Sequence, residues 1–228
     1  MYFGYFSGAE IVILLISIII TVYAQWKVKS TFRRYSQVAS FSGRNGASIA
    51  QNLLHDSGIH DVDIEMTPGE LSDHYDPRSK TLRLSEGTYR SNSVAAIGVA
   101  AHEVGHAIQH HSGYMPLNLR SGLVPVAQYG SWLAWPLVIG GIIFSFSPLI
   151  KLGIFLFAGV VIFQLVTLPV EFNASRNALV QLKAGGYLAN NELAGARKVL
   201  TAAALTYVAA AAVAILNLIR LLLIARDE

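Results

Sequence analysis

The chain has 228 residues, of which 53% are hydrophobic and 14% charged, and its net charge is +3. That balance excludes an ordinary soluble domain and points to an integral membrane protein. There is no cysteine, which excludes disulfides and thiolate metal ligands, and no basic cluster interleaved with aromatics, which argues against a nucleic-acid partner.

The first apolar run covers residues 8–26, long enough for a membrane helix of about 20 residues. Tyr23 and Trp26 suit the interface. The run does not read as a cleavable signal, because no basic residue precedes it while Lys27, Lys29, Arg33 and Arg34 follow it. Residues 44–57 then show helical periodicity through Ala47, Ala50, Leu53 and Leu54, with Gly58 placed for a C-terminal cap. Val62, Ile64 and Met66 alternate as a short strand, Pro68-Gly69 marks a turn, and residues 75–79 read as a loop or turn. Residues 80–85 alternate again, completing an expected short β-hairpin. A helix follows from about Ser93 and should stop near Gly113 and Pro116.

Three further apolar runs follow. Residues 132–146 are interrupted by Pro136 and Gly140-Gly141, residues 149–170 are uninterrupted by charge after Lys151, and residues 202–225 begin alanine-rich. A buried core helix is the alternative for the first and last of these. The expected protein is therefore mainly α, an integral membrane protein with about four transmembrane helices and a small α+β unit. The division is a span at 8–26, a polar unit at 27–131, a transmembrane hairpin at 132–170, a polar helix at 171–200 and a last span at 202–225. Residues 27–131 hold ten Lys or Arg and residues 171–200 hold four more, leaving Lys151, Arg220 and Arg226. The positive-inside rule puts both polar segments on the cytoplasmic face of the cell membrane and both termini outside. On one side, the two segments can build one site.

The segment Ser93–Ala101 runs almost without polar side chains into His102-Glu103-Val104-Gly105-His106. Histidines four apart lie on one face of a helix, one turn from each other, where both imidazoles can share one Zn2+ ion. The intervening glutamate then points at a water on that metal. The plain alternative is a pair of solvated helix-face histidines. A helix this apolar is buried on most sides, though, and buried His and Glu need partners.

A catalytic zinc takes a third protein ligand and keeps a fourth position open. Downstream of Glu103 the acidic residues are Glu171, Glu192, Asp227 and Glu228. The last two end the chain, on the far side by the charge count. Glu192 follows Asn190-Asn191 at a helix start, where capping and the helix dipole account for it. Glu171 lies where an apolar run emerges, and a carboxylate there is costly unless bound; a plain interfacial glutamate is the alternative. His110 and His111 are weaker candidates, since successive turns rise about 5.4 Å and one ion cannot take three histidines along one face. Their place near a helix C-terminus is favourable in itself. The metzincin spacing is absent, with Gln109 and Ser112 where Gly and His would stand. His74 reads as a loop histidine, with a substrate-side or transition-state donor as its sharper alternative.

With these residues placed, the chain resembles the YugP-type neutral zinc metallopeptidases of bacterial membranes over nearly its whole length. The most specific stretches are residues 71–77, 93–109 around HEVGH, and 168–176. More distantly it is similar to the membrane heat-shock protease HtpX and to the CAAX-processing proteases, gluzincins with HEXXH and a later Glu ligand. The resemblance implies a zincin-like catalytic unit with Glu171 as third ligand. HtpX-like enzymes carry an Asp four residues after that Glu, supporting a zinc histidine; here Ser175 stands there, and Asn173 or Arg176 can share the role. In the implied reaction, peptide hydrolysis, Glu103 takes a proton from water and returns it to the leaving amine. Arg176, His74 and Tyr75 are the candidate oxyanion donors. The strand at 80–85 is a candidate to pair with an extended peptide, against an ordinary hairpin strand.

A site-2-type intramembrane protease also carries HEXXH in an apolar helix, but uses an aspartate from another membrane helix, and this chain has none between Asp76 and Asp227. A non-catalytic zinc-binding scaffold needs no base at Glu103. A transporter would carry more ionisable residues in its spans. The partners expected are a peptide or protein substrate and the lipid bilayer. The proline- and glycine-broken run at 132–146 leaves room for packing against a second copy or a partner membrane protein.

Overall fold

The computed structural model describes residues 8–226. In chain order the elements are α1 (Gly8–Ser36), α2 (Gly46–Asp56), β1 (Asp63–Thr67), β2 (His74–Asp76), β3 (Thr81–Ser85), α3 (Glu86–Tyr89), α4 (Val94–His111), α5 (Met115–Ile143), α6 (Ser147–Ala184) and α7 (Asn190–Arg226). The chain is mostly helical. Among the described residues, α1, α5, α6 and α7 are long and apolar enough to cross a membrane. On α1, Ile11, Leu15, Ile18, Ile19 and Val22 are exposed, as apolar side chains on a lipid-facing helix are.

The chain divides into two compact units. One comprises residues 8–25, 119–168 and 206–226. Its core joins Ala134 and Val138 of α5, Ile150, Phe157, Val160 and Val161 of α6, and Ala214 and Leu221 of α7. Small residues bring α5 and α6 together. A Cβ on Gly130 would stand 2.7 Å from the Leu156 carbonyl oxygen, and one on Gly153 2.7 Å from that of Ala134. Residues 132–143 of the apolar run form the C-terminal part of a longer helix, α5, which carries Pro125 and Pro136 inside it, and residues 144–146 connect it to α6. Proline interrupts a membrane helix less than a soluble one, because neighbouring helices and local adjustment satisfy the freed carbonyl.

The other unit is Trp26–Asn118 with Pro169–Leu205. Asn45 caps α2, its side chain accepting from the Ser48 N–H, and Ser93 caps α4 by accepting from Ala96 N–H. Gly58 and Gly113 follow α2 and α4 with φ of 71° and 65°, the left-handed conformation that ends a helix at glycine. Ile49, Leu53 and Leu54 of α2, Leu82 and Leu84 of β3, Val94, Ile97 and Val104 of α4, and Leu182 of α6 form one core. Each such aliphatic side chain contributes about 1.5–3 kcal/mol on burial. Helix α4 is buried along almost its whole length. Its alanines and glycines allow close neighbours on several sides.

The sheet corrects the sequence expectation. The two alternating segments do not pair as a hairpin: β1 and β3 are parallel, with Ile64 opposite Leu82 and Met66 opposite Leu84. The antiparallel partner of β3 is β2, in the stretch expected to be loop or turn. Asp76 closes the β2–β3 connection by accepting from the Arg78 N–H and the Ser79 hydroxyl, a local side-chain turn that the Asp-Pro-Arg-Ser sequence favours. The strand order β1-β3-β2 makes β3 central. Both of its edges are taken, so it offers no edge to an extended peptide. The polar segment 171–200 is likewise not a helix of its own: residues up to Ala184 continue α6, and those from Asn190 open α7.

Candidate metal centre

The HEVGH segment lies in the middle of α4, whose Ser93 cap fixes where its turns begin. Four residues of helix bring the His102 and His106 rings to 4.8 Å between centroids, at 83° to each other. Opposite them stands Glu171 of α6. Its Oε2 is 3.2 Å from His102 Nε2 and 3.6 Å from His106 Nε2. One donor atom from each of the three lies within 4.8 Å of the other two, and among the described residues no other group of three His, Asp or Glu side chains comes together in this way. All three are buried, Glu171 at 2% exposure.

The outward-facing nitrogens of both rings are engaged. Ser175 Oγ sits 3.1 Å from His102 Nδ1, and Gln109 Oε1 3.0 Å from His106 Nδ1. Gln109 in turn donates from Nε2 to the Val170 carbonyl at 2.8 Å and to Asn173 Oδ1 at 2.9 Å. Ligand donors aimed inward, with ring nitrogens held from behind, are the arrangement that metal-binding histidines take. Two imidazole nitrogens and a carboxylate oxygen, with no sulfur, fit zinc and leave a fourth position for chemistry.

Electrostatics favour a cation there. Burial opposes charge on His106, but the hydrogen bond to Glu171 and the negative charges of Glu103 and Glu171 together raise its pKa above the ordinary histidine value. Glu103 is buried on the same helix, between the two histidines in sequence, at 7% exposure.

Gly105 sets the distance between α4 and α6, the two helices that carry the cluster. A Cβ there would lie 2.5 Å from the Ala174 carbonyl oxygen and 3.0 Å from its carbon, backbone atoms that cannot swing away. We expect Gly105→Ala to lower stability by about 1–3 kcal/mol through overpacking, which exceeds the ~1 kcal/mol that alanine gains in helix propensity. It should also weaken zinc binding, since α4 and α6 move apart. Thermal unfolding in detergent and zinc titration check this; a variant as stable as the native chain would mean that the helices adjust freely.

The remaining sequence candidates fall elsewhere. His74 is exposed and donates from Nδ1 to the Ser72 carbonyl, 2.8 Å away. Tyr75 hydrogen-bonds His110 Nδ1 at 2.8 Å, which ties β2 to α4. Burial, with the Asp61 and Asp76 carboxylates, pushes its phenol up to about 12. Arg176 is exposed on α6, one residue beyond Ser175. Glu192 caps α7, accepting from Ala189 N–H at 2.8 Å and also from Phe41 N–H at 2.7 Å. Asn173 meets Gln109 rather than a ligand. In the sequence Gln109 stands out only as a departure from metzincin spacing. The signal was present: an amide one turn beyond His106 on a buried helix needs partners.

A buried cluster of two histidines and one carboxylate that could hold a metal ion thus lies in a chain whose described residues include four helices of membrane-spanning length. The chain belongs to the family described as "Putative neutral zinc metallopeptidase", whose model matches residues 10–226. It is 49% identical over 212 residues, covering 92% of this chain and 94% of the relative, to the Bacillus subtilis (strain 168) protein named "Putative membrane protease YugP". No solved structure matches the chain.

Proposed function

We propose that this chain is a membrane-embedded zinc endopeptidase of the gluzincin type, holding one Zn2+ through His102, His106 and Glu171. The observation that carries this reading is the convergence of those three donors within 4.8 Å beside the buried Glu103. When bound, zinc supplies Lewis acidity, making a water more acidic and polarising a peptide carbonyl. The chain's own residues do the rest. His102 and His106 orient their Nε2 atoms inward, held from behind by Ser175 and Gln109. Glu103 takes the proton of the attacking water and delivers it to the leaving amine. Its carboxylate is buried beside His106 and acts electrostatically on that ring, close to where the water would sit.

The distribution of Lys and Arg supports a cytoplasmic site: residues 27–131 and 171–200, which carry the site, hold most of the basic residues. A peptide or protein at the membrane surface is the substrate this placement suits. The test is zinc content and cleavage of a peptide library by the native chain in detergent, before and after chelation. We expect one zinc per chain, cleavage lost with the metal, and cleavage restored on adding zinc back. A native chain without zinc would overturn the metal reading. Zinc without cleavage would leave a metal centre that is not a general peptidase.

A further inference from the structure

Gln109 is 1% exposed, and every hydrogen-bonding group of its amide is occupied. The Val170 carbonyl can only accept, so the amide end facing it must be the NH2. Asn173 Oδ1 points the same way, since it also receives Asn177 Nδ2 at 3.2 Å. Two acceptors on one side fix the orientation of the amide, and its oxygen is left facing His106 Nδ1. That oxygen cannot donate. His106 must therefore carry a hydrogen on Nδ1, which frees the lone pair of Nε2 on the side where Glu171 stands. His102 has no such constraint, because the Ser175 hydroxyl behind it can donate or accept.

Resting on the zinc reading above, we propose that Gln109 is a positioning residue that locks His106 into the Nδ1–H tautomer and aims its Nε2 at the metal. The same amide also fixes α6 in register, because Val170 immediately precedes Glu171. One side chain thus coordinates the ring of a ligand on α4 with the backbone beside a ligand on α6. Ligand-supporting partners of this kind change metal affinity by about 10–100-fold.

Two variants separate orienting from packing. Gln109→Leu keeps approximate volume and removes every hydrogen bond. Gln109→Glu keeps an acceptor for the Nδ1–H and loses the donor to Val170. We expect Gln109→Leu to bind zinc about 10–100-fold more weakly in competition with a chelator, and Gln109→Glu to recover most of that loss. With isotope-labelled histidine in the zinc-loaded protein, the His106 Nδ1–H should give a slowly exchanging resonance in the native chain and in Gln109→Glu, and a rapidly exchanging one in Gln109→Leu. Zinc bound by the native chain and equally well by Gln109→Leu overturns the proposal alone. Gln109→Glu as weak as Gln109→Leu, with the resonance lost in both, overturns it in favour of a tie between helices. A native chain that binds no zinc removes the metal reading and this one with it.

Discussion

Glu103→Gln should keep its zinc and lose peptide cleavage by about 100- to 10,000-fold, the range general-base catalysis supplies. The substitution is nearly isosteric, so the packing of α4 against its neighbours is retained. What changes is that an amide cannot take a proton. The three donors that converge do so without Glu103, so the metal has no reason to leave. Removing the Glu103 charge also removes one of the influences that favour positive charge at His106, so zinc binding should shift modestly towards weaker, far less than on loss of a ligand. Metal analysis and initial rates on the same preparation decide it. Loss of zinc together with activity would make Glu103 a ligand, and retained cleavage would place the base elsewhere.

Glu171→Ala should do the opposite and strip the metal. Supporting residues behind metal ligands carry about 10–100-fold in affinity, so a ligand itself should carry at least the upper end of that range. Among the described residues Glu171 is the only carboxylate ion-paired with both Nε2 atoms, and alanine leaves two buried imidazoles without it. Zinc titration under a competing chelator reads the loss directly. Full zinc occupancy in Glu171→Ala would mean that another side chain completes the centre. The two variants make a pair: one keeps metal without turnover, the other loses turnover because it loses metal.

The sequence was most legible where one element dictates geometry. The spacing of His102 and His106 needs only a helix, and the apolar approach from Ser93 to Ala101 announced a buried one. Counting acidic residues was enough to single out Glu171, because so few lie downstream of Glu103. Legibility failed where geometry depends on partners far along the chain. Alternation marked the segments around Ile64 and Leu82 as strands, but it carries no sign for parallel against antiparallel, and the antiparallel partner of β3, β2, is too short to show a period. Gly105 reads as a helix-weakening residue until the Ala174 carbonyl is seen against it. Gln109 reads as a polar interruption until the Val170 carbonyl and the His106 ring appear on its two sides. Element boundaries suffered in the same way: Pro136 and Gly140-Gly141 read as interruptions of an apolar run and lie inside the continuous helix α5.

His102 and Glu171 stand 69 residues apart in the chain, and on the proposed function an ion shared between them would be a cross-link as well as a reagent. A ligand that binds only the folded state stabilises it in proportion to the logarithm of its free concentration, by about 2.7 kcal/mol at 100 times Kd. Against the roughly 5–15 kcal/mol that separates folded from unfolded states in ordinary domains, this is a substantial share. The unfolded chain, its ligands scattered, gains little of it. Zinc supply would then govern abundance as well as turnover: copies made in zinc-poor cells open more often, and opened copies are the ones that cellular proteases remove.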